Sequence, residues 1–321
     1  MYSRSRIVHL AVFVLFWGLL AAPALSETRI EKNFDLAPGG RLIVDTEAGS
    51  VTVTGGSGSE CRVLITSSRE DLDDKIDFSF EQSAGEVRII GKRKGKNWLG
   101  NWSFKGKLLI AIEVPERTEV DLDTSGGSLD VESLEGDVRL DTSGGGIRVT
   151  RVRGEVLADT SGVGITIREI VGDVNADTSG GGIHIEDVDG AVRADTSGGG
   201  ITIRDVTGDL VADTSGGSID VSGAGGKVEG DTSGGSIDVE FVAGPFEGGS
   251  LSTSGGGIRV TLDADASLEL DASTSGGTVR SDLPITVRGV IDKHSLKGTL
   301  GGGGATLKLR ASGGGIRIQE R

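Results

Sequence analysis

Apolar and polar residues alternate with a period of two in short runs along most of the chain. The run Gly146–Thr150 alternates in this way, and the run Glu155–Thr160 does so again after Gly154. Such alternation is typical of β-strands, whose successive side chains point to opposite faces. The pattern predicts pairs of short strands, separated by a bend at one end and by a Ser-Gly-Gly turn at the other.

The same pattern returns every 18 residues. The tetrapeptide Asp-Thr-Ser-Gly begins with this spacing at Asp123, Asp141, Asp159, Asp177, Asp195, Asp213 and Asp231. Eighteen residues are too few for two strands and a crossover helix, but they suffice for one coil whose strands pair with their equivalents in the next coil. We therefore predict an all-β fold: a single-chain parallel β-solenoid (β-helix) with ~18-residue, two-strand coils.

Equivalent positions of successive coils form apolar columns that we expect to point inward. One column comprises Ile147, Ile165, Ile183, Ile201, Ile219 and Ile237. The bend column comprises Val152, Ile170, Val188, Val206, Ala224 and Val242. The facing strand contributes Val138, Val156, Val174, Val192, Leu210 and Val228. Pro is absent between Asp123 and Glu240, as expected for uninterrupted strand pairing.

The Asp-Thr-Ser-Gly-Gly turns differ by few residues from catalytic sequences of trypsin-like and aspartic proteases. A trypsin-like site needs a His as base, and we interpret His184 and His294 as surface residues, while His9 lies in the N-terminal leader. The inserted Ser interrupts the Asp-Thr-Gly of an aspartic protease. We therefore interpret the seven Asp residues as a structural turn column, in which each carboxylate accepts hydrogen bonds from N–H groups of its own turn. Stacked carboxylates can also bind Ca²⁺, a possibility that the repeat leaves open; no metal site and no cofactor is predicted.

The composition limits the function further. The chain has 321 residues and a formal net charge of −15, which argues against a nucleic-acid partner. With 55 Gly and 4% aromatic residues, it cannot build a thick core. Cys61 is the sole Cys, so no intramolecular disulfide forms, and we interpret it as a small buried apolar residue.

The chain divides into four parts. Residues 1–26 carry two Arg, an apolar run and a small-residue cleavage motif, the pattern of a secretory signal peptide. Residues 27–120 are predicted to form irregular N-terminal coils, residues 121–282 the regular solenoid, and residues 283–321 C-terminal coils that cap the open end. We expect an exported protein, whether periplasmic, on the cell surface or extracellular, with no transmembrane span after signal cleavage.

One segment departs from the acidic background and breaks the repeat. The insertion 91–107 contains a set of basic and aromatic residues: Lys92, Arg93, Lys94, Lys96, Trp98, Trp102, Phe104, Lys105 and Lys107. Such a surface suits an anionic glycan, a lipid headgroup or another envelope protein. The alternative is a long hairpin whose aromatic side chains cap the first coils. If the protein has a specific contact surface, we place it here, with the outward strand faces second.

Three stretches resemble a bacterial family of unknown function, often called "putative adhesin". They are Phe34–Val44, Ile112–Pro115 leading into the Asp-Thr-Ser-Gly-Gly repeats, and the closing turn Ser312–Ile316. The resemblance implies an exported β-solenoid similar to adhesin-head domains, and it brings no catalytic residues. We therefore expect a non-enzymatic cell-envelope scaffold or an adhesion and binding module. Two alternatives remain open: a carbohydrate-active β-helix enzyme and a structural protein that polymerises end to end.

Overall fold

The computed structural model describes residues 28–94, 106–242, 246–287 and 292–321. These residues form 29 strands and one short helix, α1 (Leu72–Lys75). The N-terminal strands are β1 (Thr28–Asp35), β2 (Gly40–Thr46), β3 (Ser50–Gly56), β4 (Glu60–Ser67), β5 (Ile76–Ser83), β6 (Glu86–Arg93) and β7 (Leu108–Pro115). The regular strands are β8 (Thr118–Thr124), β9 (Leu129–Glu135), β10 (Val138–Thr142), β11 (Ile147–Arg153), β12 (Val156–Thr160), β13 (Ile165–Val171), β14 (Val174–Thr178), β15 (Ile183–Asp189), β16 (Val192–Thr196), β17 (Ile201–Val206), β18 (Leu210–Thr214), β19 (Ile219–Ala224), β20 (Val228–Thr232) and β21 (Ile237–Phe241). The C-terminal strands are β22 (Gly249–Thr253), β23 (Ile258–Leu262), β24 (Leu268–Thr274), β25 (Val279–Ser281), β26 (Ile285–Val287), β27 (Ser295–Leu300), β28 (Thr306–Ala311) and β29 (Ile316–Glu320).

The strands assemble into two long sheets, one of 14 strands with β11 near its middle and one of 15 strands with β12 near its middle. We call them the first and the second sheet. Along the regular coils the chain alternates between the sheets, and each strand pairs in parallel with the strand 18 residues away: Val138 lies opposite Val156, and Ile147 opposite Ile165. The predicted β-solenoid with two-strand coils is confirmed.

The core is the thin layer between the two sheets. The columns of Ile147, Val156 and their equivalents are buried, with exposed fractions of 3% or less. Two residues further along the same strands of the second sheet lies a column of small residues, with Ala176, Ala194 and Ala212 fully buried. Small side chains here let the two sheets approach each other, which explains how a chain poor in aromatic residues still excludes water from its interior.

The bend column contains one error of prediction. Val242 is 44% exposed, and Phe241 takes the buried position opposite Ala224. In the preceding coils the fifth strand residue, such as Arg151 or Glu169, has a positive φ and forms a bulge, so that the sixth residue turns inward. No positive φ occurs at Phe241, so simple alternation brings this fifth residue inward and Val242 outward.

At the N-terminal end the coils do not follow each other in chain order. The coil β2–β3 lies between the coil β6–β7 and the coil β8–β9. Antiparallel strands then cover the outer coil: β4 and β1 on the first sheet, and β5 on the second. Along the chain, the inner coil β2–β3 therefore comes before the outer coil β6–β7. The regular coils begin after both, next to the inner coil.

The C-terminal end repeats this arrangement in reverse. The coil β28–β29, which comes last in the chain, lies between the coils β22–β23 and β24–β25. The antiparallel strands β27 and β26 extend the second sheet beyond β24. Antiparallel strands therefore cover the second sheet at both ends and the first sheet at its N-terminal end, while the parallel strand β25 forms the other edge of the first sheet.

Candidate functional site

The Ser-Gly-Gly turns, which connect the second sheet to the first along what we call the turn edge, are held by threonine hydroxyls. Thr142 is buried, its Oγ1 donates to the carbonyl of Gly127 in the preceding coil at 2.8 Å, and it accepts from the N–H of Gly145 at 3.3 Å. Thr196 repeats both contacts. The hydrogen bonds that the sequence assigned to the Asp carboxylates therefore belong to the neighbouring Thr, because strand alternation points Thr inward and Asp outward.

The Asp residues instead form a continuous row on the outer face of the second sheet. Their pairing is in register, so successive Asp residues lie on neighbouring strands about 4.8 Å apart. This Asp row comprises Asp45, Asp123, Asp141, Asp159, Asp177, Asp195, Asp213 and Asp231. Lys92 pairs with Asp45 at one end (2.7 Å), and Ser252 follows Asp231 at the other.

Burial and mutual repulsion raise the pKa of several carboxyls of the Asp row. The pKa of Asp177 is raised first by desolvation and then by the charges of Asp159 and Asp195. Desolvation is also the main cause of the raised pKa of Asp123, Asp159 and Asp213. The ionised row therefore opposes folding, and it persists because the inward Thr and Gly of the same turns make the contacts that close each coil.

This repulsion predicts that Asp177→Asn stabilises the protein at neutral pH. Like charges directly opposite each other in a sheet cost roughly 0.2–1 kcal/mol, so we expect a gain of that size at pH 7 and low salt. Because the pKa of Asp177 is higher in the folded protein than in the unfolded chain, protonation of Asp177 stabilises the fold. This stabilisation is complete below the unfolded pKa of about 3.9 and is lost as pH rises through the folded pKa. The gain should therefore shrink steadily on acidification from pH 7 to pH 4 and vanish only below the unfolded pKa.

Urea unfolding of both proteins between pH 4 and 7 measures this difference. Asp130→Asn is the matched control, since Asp130 faces Arg148 at 3.5 Å and its replacement removes an attraction. A gain from Asp177→Asn that is independent of pH and salt would contradict the electrostatic explanation.

A second set of Asp residues, missed by the sequence reasoning, holds the backbone where the chain passes from the first sheet to the second, along what we call the bend edge. Asp137 Oδ1 accepts from the N–H of Glu155 in the next coil at 2.9 Å. Asp173 and Asp209 make the same contact with the following coils. These residues occur in alternate coils, a period of 36 residues, and this doubled period is the signal that could have revealed them.

The insertion 91–107, which we call the basic segment, leads from the end of β6 to β7 at the turn edge of the outer N-terminal coil. Lys96, Trp98, Trp102, Phe104 and Lys105 lie outside the described residues. Its N-terminal basic residues pair with acids: Lys92 with Asp45, Arg93 with Glu47 at 2.8 Å, and Lys94 with Asp77 at 3.2 Å. These pairs are about half exposed and contribute little stability individually, but they anchor the start of the segment against the solenoid.

The other end of the segment is anchored by backbone contacts. The N–H of Lys107 donates to Ser68 Oγ at 2.9 Å, and the carbonyl of Lys107 accepts from the N–H of Ser68. The exposed Lys107 side chain borders a shallow groove that also includes Arg93, Leu109 and Gly126. The structure thus brings Arg93 and Lys107, predicted on sequence grounds, to the same groove.

Carboxylates also line the bend edge. Glu169, Asp187 and Asp205 occupy the positive-φ bulge position of successive coils and are exposed. They border a shallow groove along this edge. A glycosidase needs one carboxylic acid in an apolar setting beside a second, ionised one. A uniform row of exposed carboxylates does not supply that contrast.

The remaining titratable candidates have structural roles. His184 is about 28% exposed, and its Nε2 lies 3.6 Å from Glu186 on the outer face of the first sheet. His294 Nδ1 lies 2.8 Å from the carbonyl of Gly277 in a C-terminal turn. Burial raises the pKa of the Cys61 thiol to about 12, as expected for an apolar core residue.

Within 28–94, 106–242, 246–287 and 292–321, no group of three or more His, Cys, Asp or Glu side chains is arranged to hold a metal ion. In the same ranges, no helix has the length and apolarity required to cross a membrane.

Solved structures with a similar chain path come from several bacteria. A "putative adhesin" of Bacteroides fragilis is 12% identical, with 92% of this chain and 97% of that one covered and a TM-score of 0.33. A "putative lipid binding protein" of Parabacteroides distasonis is 15% identical, with 91% and 96% covered and a TM-score of 0.39. A "putative cell adhesion protein" of Clostridium sporogenes is 12% identical, with 92% and 100% covered and a TM-score of 0.22. At such TM-scores these likenesses carry no argument about function.

No curated protein matches the chain. Residues 40–319, however, match the model of the family described as Toastrack DUF4097. This range begins at β2 and ends within β29, so it includes both inserted terminal coils and the whole regular repeat. The protein therefore belongs to the Toastrack DUF4097 family, in agreement with the resemblance found in its sequence.

Proposed function

We propose that the protein is an exported, non-enzymatic binding module of the cell envelope that contacts an anionic partner through the basic segment. One observation carries the proposal. The regular coils connect their strands at the turn edge by four residues, such as 143–146, whereas β6 and β7 are connected by fourteen, residues 94–107. A rigid scaffold carries its binding residues on connections longer than the fold requires.

The chemistry of this connection suits an anionic surface. Between Lys94 and Lys107 it contains Lys96, Lys105 and two Trp, and no acid, in a chain of net charge −15. Lysine supplies charge attraction, and Trp combines an apolar ring with a polar N–H, a combination common at glycan and membrane interfaces. The partner is then an acidic glycan, an anionic lipid headgroup or an acidic envelope protein. Export rests on the signal-peptide pattern of residues 1–26.

The test is a binding screen of residues 27–321 on an array of acidic glycans and on vesicles containing phosphatidylglycerol. Substitution of Lys96, Lys105 and Lys107 by Gln should weaken binding on the order of 100-fold, since each Lys near an anionic surface contributes about 1 kcal/mol. The N-terminal basic residues are left intact because their ion pairs anchor the segment.

The matched control removes three exposed basic residues elsewhere, Arg139, Arg153 and Lys308. It lowers the net charge equally and should leave binding nearly unchanged. If the two triple variants weaken binding equally, the contact is a general charge effect and the segment has no special role. If wild-type protein binds no acidic glycan and no anionic vesicle, the proposal fails.

A further inference from the structure

Three arginines lie in register on the outer face of the first sheet, at its C-terminal end. Arg259 of β23 lies opposite Arg317 of β29, and Arg317 lies opposite Arg280 of β25. In the chain these residues are 58 and 37 positions from Arg317, and they become neighbours because β29 is inserted between the two other strands. We call them the Arg row.

No such run of basic residues occurs in the regular coils at this column. The equivalent positions there are Asp130, Arg148, Thr166, His184, Thr202, Asp220 and Asp238. Three arginines on adjacent strands about 4.8 Å apart repel one another to the extent that nearby acids leave their charges unneutralised. An anion placed along the row removes this repulsion.

Nearby acids neutralise the Arg row only in part. Asp238 contacts Arg259 Nη1 at 2.6 Å, and Asp282 contacts Arg317 Nη2 at 2.8 Å. In the described part of the chain Arg280 has no ion pair. Each guanidinium has five N–H donors, so these two contacts leave most donors of the row available. The side chains of Arg259 and Arg317 remain more than half exposed, at 55% and 57%.

A shallow groove runs beside the Arg row. Besides the three arginines, it is lined by Gly257 and Gly315, which carry no side chain, by Ser236 and Thr278, and by Asp238, the partner of Arg259. The groove therefore follows the same line as the three guanidinium groups.

From this geometry we infer that the Arg row binds a linear polysaccharide with regularly spaced carboxylates, laid along the solenoid axis. A single phosphate is bound best by cations that converge on one point, whereas three parallel arginines span roughly 10 Å in a line. Guanidinium groups bind carboxylates through paired hydrogen bonds. Sugar hydroxyls suit Ser236 and Thr278, which line the groove beside the row. This site is separate from the basic segment, and the inference does not depend on the proposed function.

The test uses residues 27–321 and a hexamer of galacturonic acid, with binding measured by titration calorimetry at low salt. The triple substitution of Arg259, Arg280 and Arg317 by Gln should weaken binding at least tenfold and flatten its salt dependence. Arg280→Gln alone should weaken it severalfold, and it leaves both ion pairs of the row intact. Arg204→Gln, which removes an exposed arginine from the same sheet face, is the matched control and should bind like wild type.

Three results would overturn the inference: no binding of the hexamer by wild-type protein, equal binding by the triple variant, or equal loss in Arg204→Gln. Inorganic phosphate and phosphatidylglycerol vesicles are tested in parallel. Binding of either that depends on the Arg row and exceeds binding of the hexamer would also overturn the linear-polyuronate assignment. Substitution of Lys96, Lys105 and Lys107 by Gln should leave hexamer binding at the Arg row intact. The test of the Arg row therefore does not depend on whether the basic segment binds an anionic partner.

Discussion

A chain that ends at Ala305 is expected to lose its C-terminal coils altogether, although only sixteen residues are removed. These residues form β28 and β29, which lie inside the solenoid between two other coils. Their four fully buried side chains are Leu307, Leu309, Ile316 and Ile318. At 1.5–3 kcal/mol for each buried aliphatic side chain, their loss removes roughly 6–12 kcal/mol of gross burial free energy.

Hydrogen exchange measures the expected effect directly. Amides of β24 and β27 should exchange rapidly in the truncated protein, because the coil on which β24 packs is missing. The regular coils should keep their protection, since contacts in a solenoid are made only with neighbouring coils. Removal of β1, an edge strand with mostly exposed or partly exposed side chains, is the control and should cost far less.

The contrary result would be native-like protection of β24 in the truncated protein. It would mean that the coil β24–β25 closes the gap by packing directly on β22–β23. Parallel pairing is permissive enough for this to be a real alternative, so the experiment tests whether the observed coil order is the one that stabilises the end.

The second large effect is expected from Gly127→Ala in the first regular turn. A Cβ at this position would lie 1.7 Å from the carbonyl oxygen of Gly49 in the neighbouring coil. The contact is with backbone, which cannot move without separating the coils. We expect a loss of stability of about 4 kcal/mol or more, in the range of severe steric substitutions.

Gly126→Ala is a control in the same turn. A Cβ there meets nothing within 4 Å, so its effect should stay within about 0.5 kcal/mol, as for an ordinary surface substitution. Thermal unfolding of both variants distinguishes the two positions. Equal destabilisation by the two substitutions would show that glycine serves backbone flexibility at this turn and that the close approach of coils is unimportant.

The regular part of the fold was predictable because its signals are local. Alternation over five residues decides which side chains of a strand face the core, as for Ile147 and Val149, and the 18-residue period then stacks equivalent strands. Local alternation also decided that the Thr of each turn points inward. What it did not reveal was which polar group of the turn closes it, since Asp and Thr both accept hydrogen bonds from N–H groups and only the Thr lies on the buried side.

The error at Val242 has a related cause. The inward position shifts by one residue when the preceding residue forms a positive-φ bulge, and bulges occur at residues as different as Arg151 and Asp205. Because non-glycine residues adopt this conformation under tertiary constraint, composition does not mark the position. The replacement by Phe241, which packs edge-on against Phe246 at 5.1 Å between ring centroids, is visible only in the assembled coil.

Alternation and the 18-residue period were enough to predict the solenoid, the length of its coil, the inward columns apart from Val242, and the place where basic and aromatic residues interrupt the repeat. The order of the coils at both ends, and with it the Arg row, is visible only in the assembled fold. The physical reason is that any parallel strand of suitable pattern can pair with any other through identical backbone hydrogen bonds. Which pairs form depends on the edges that the rest of the assembly leaves open, and no stretch of sequence records that choice locally.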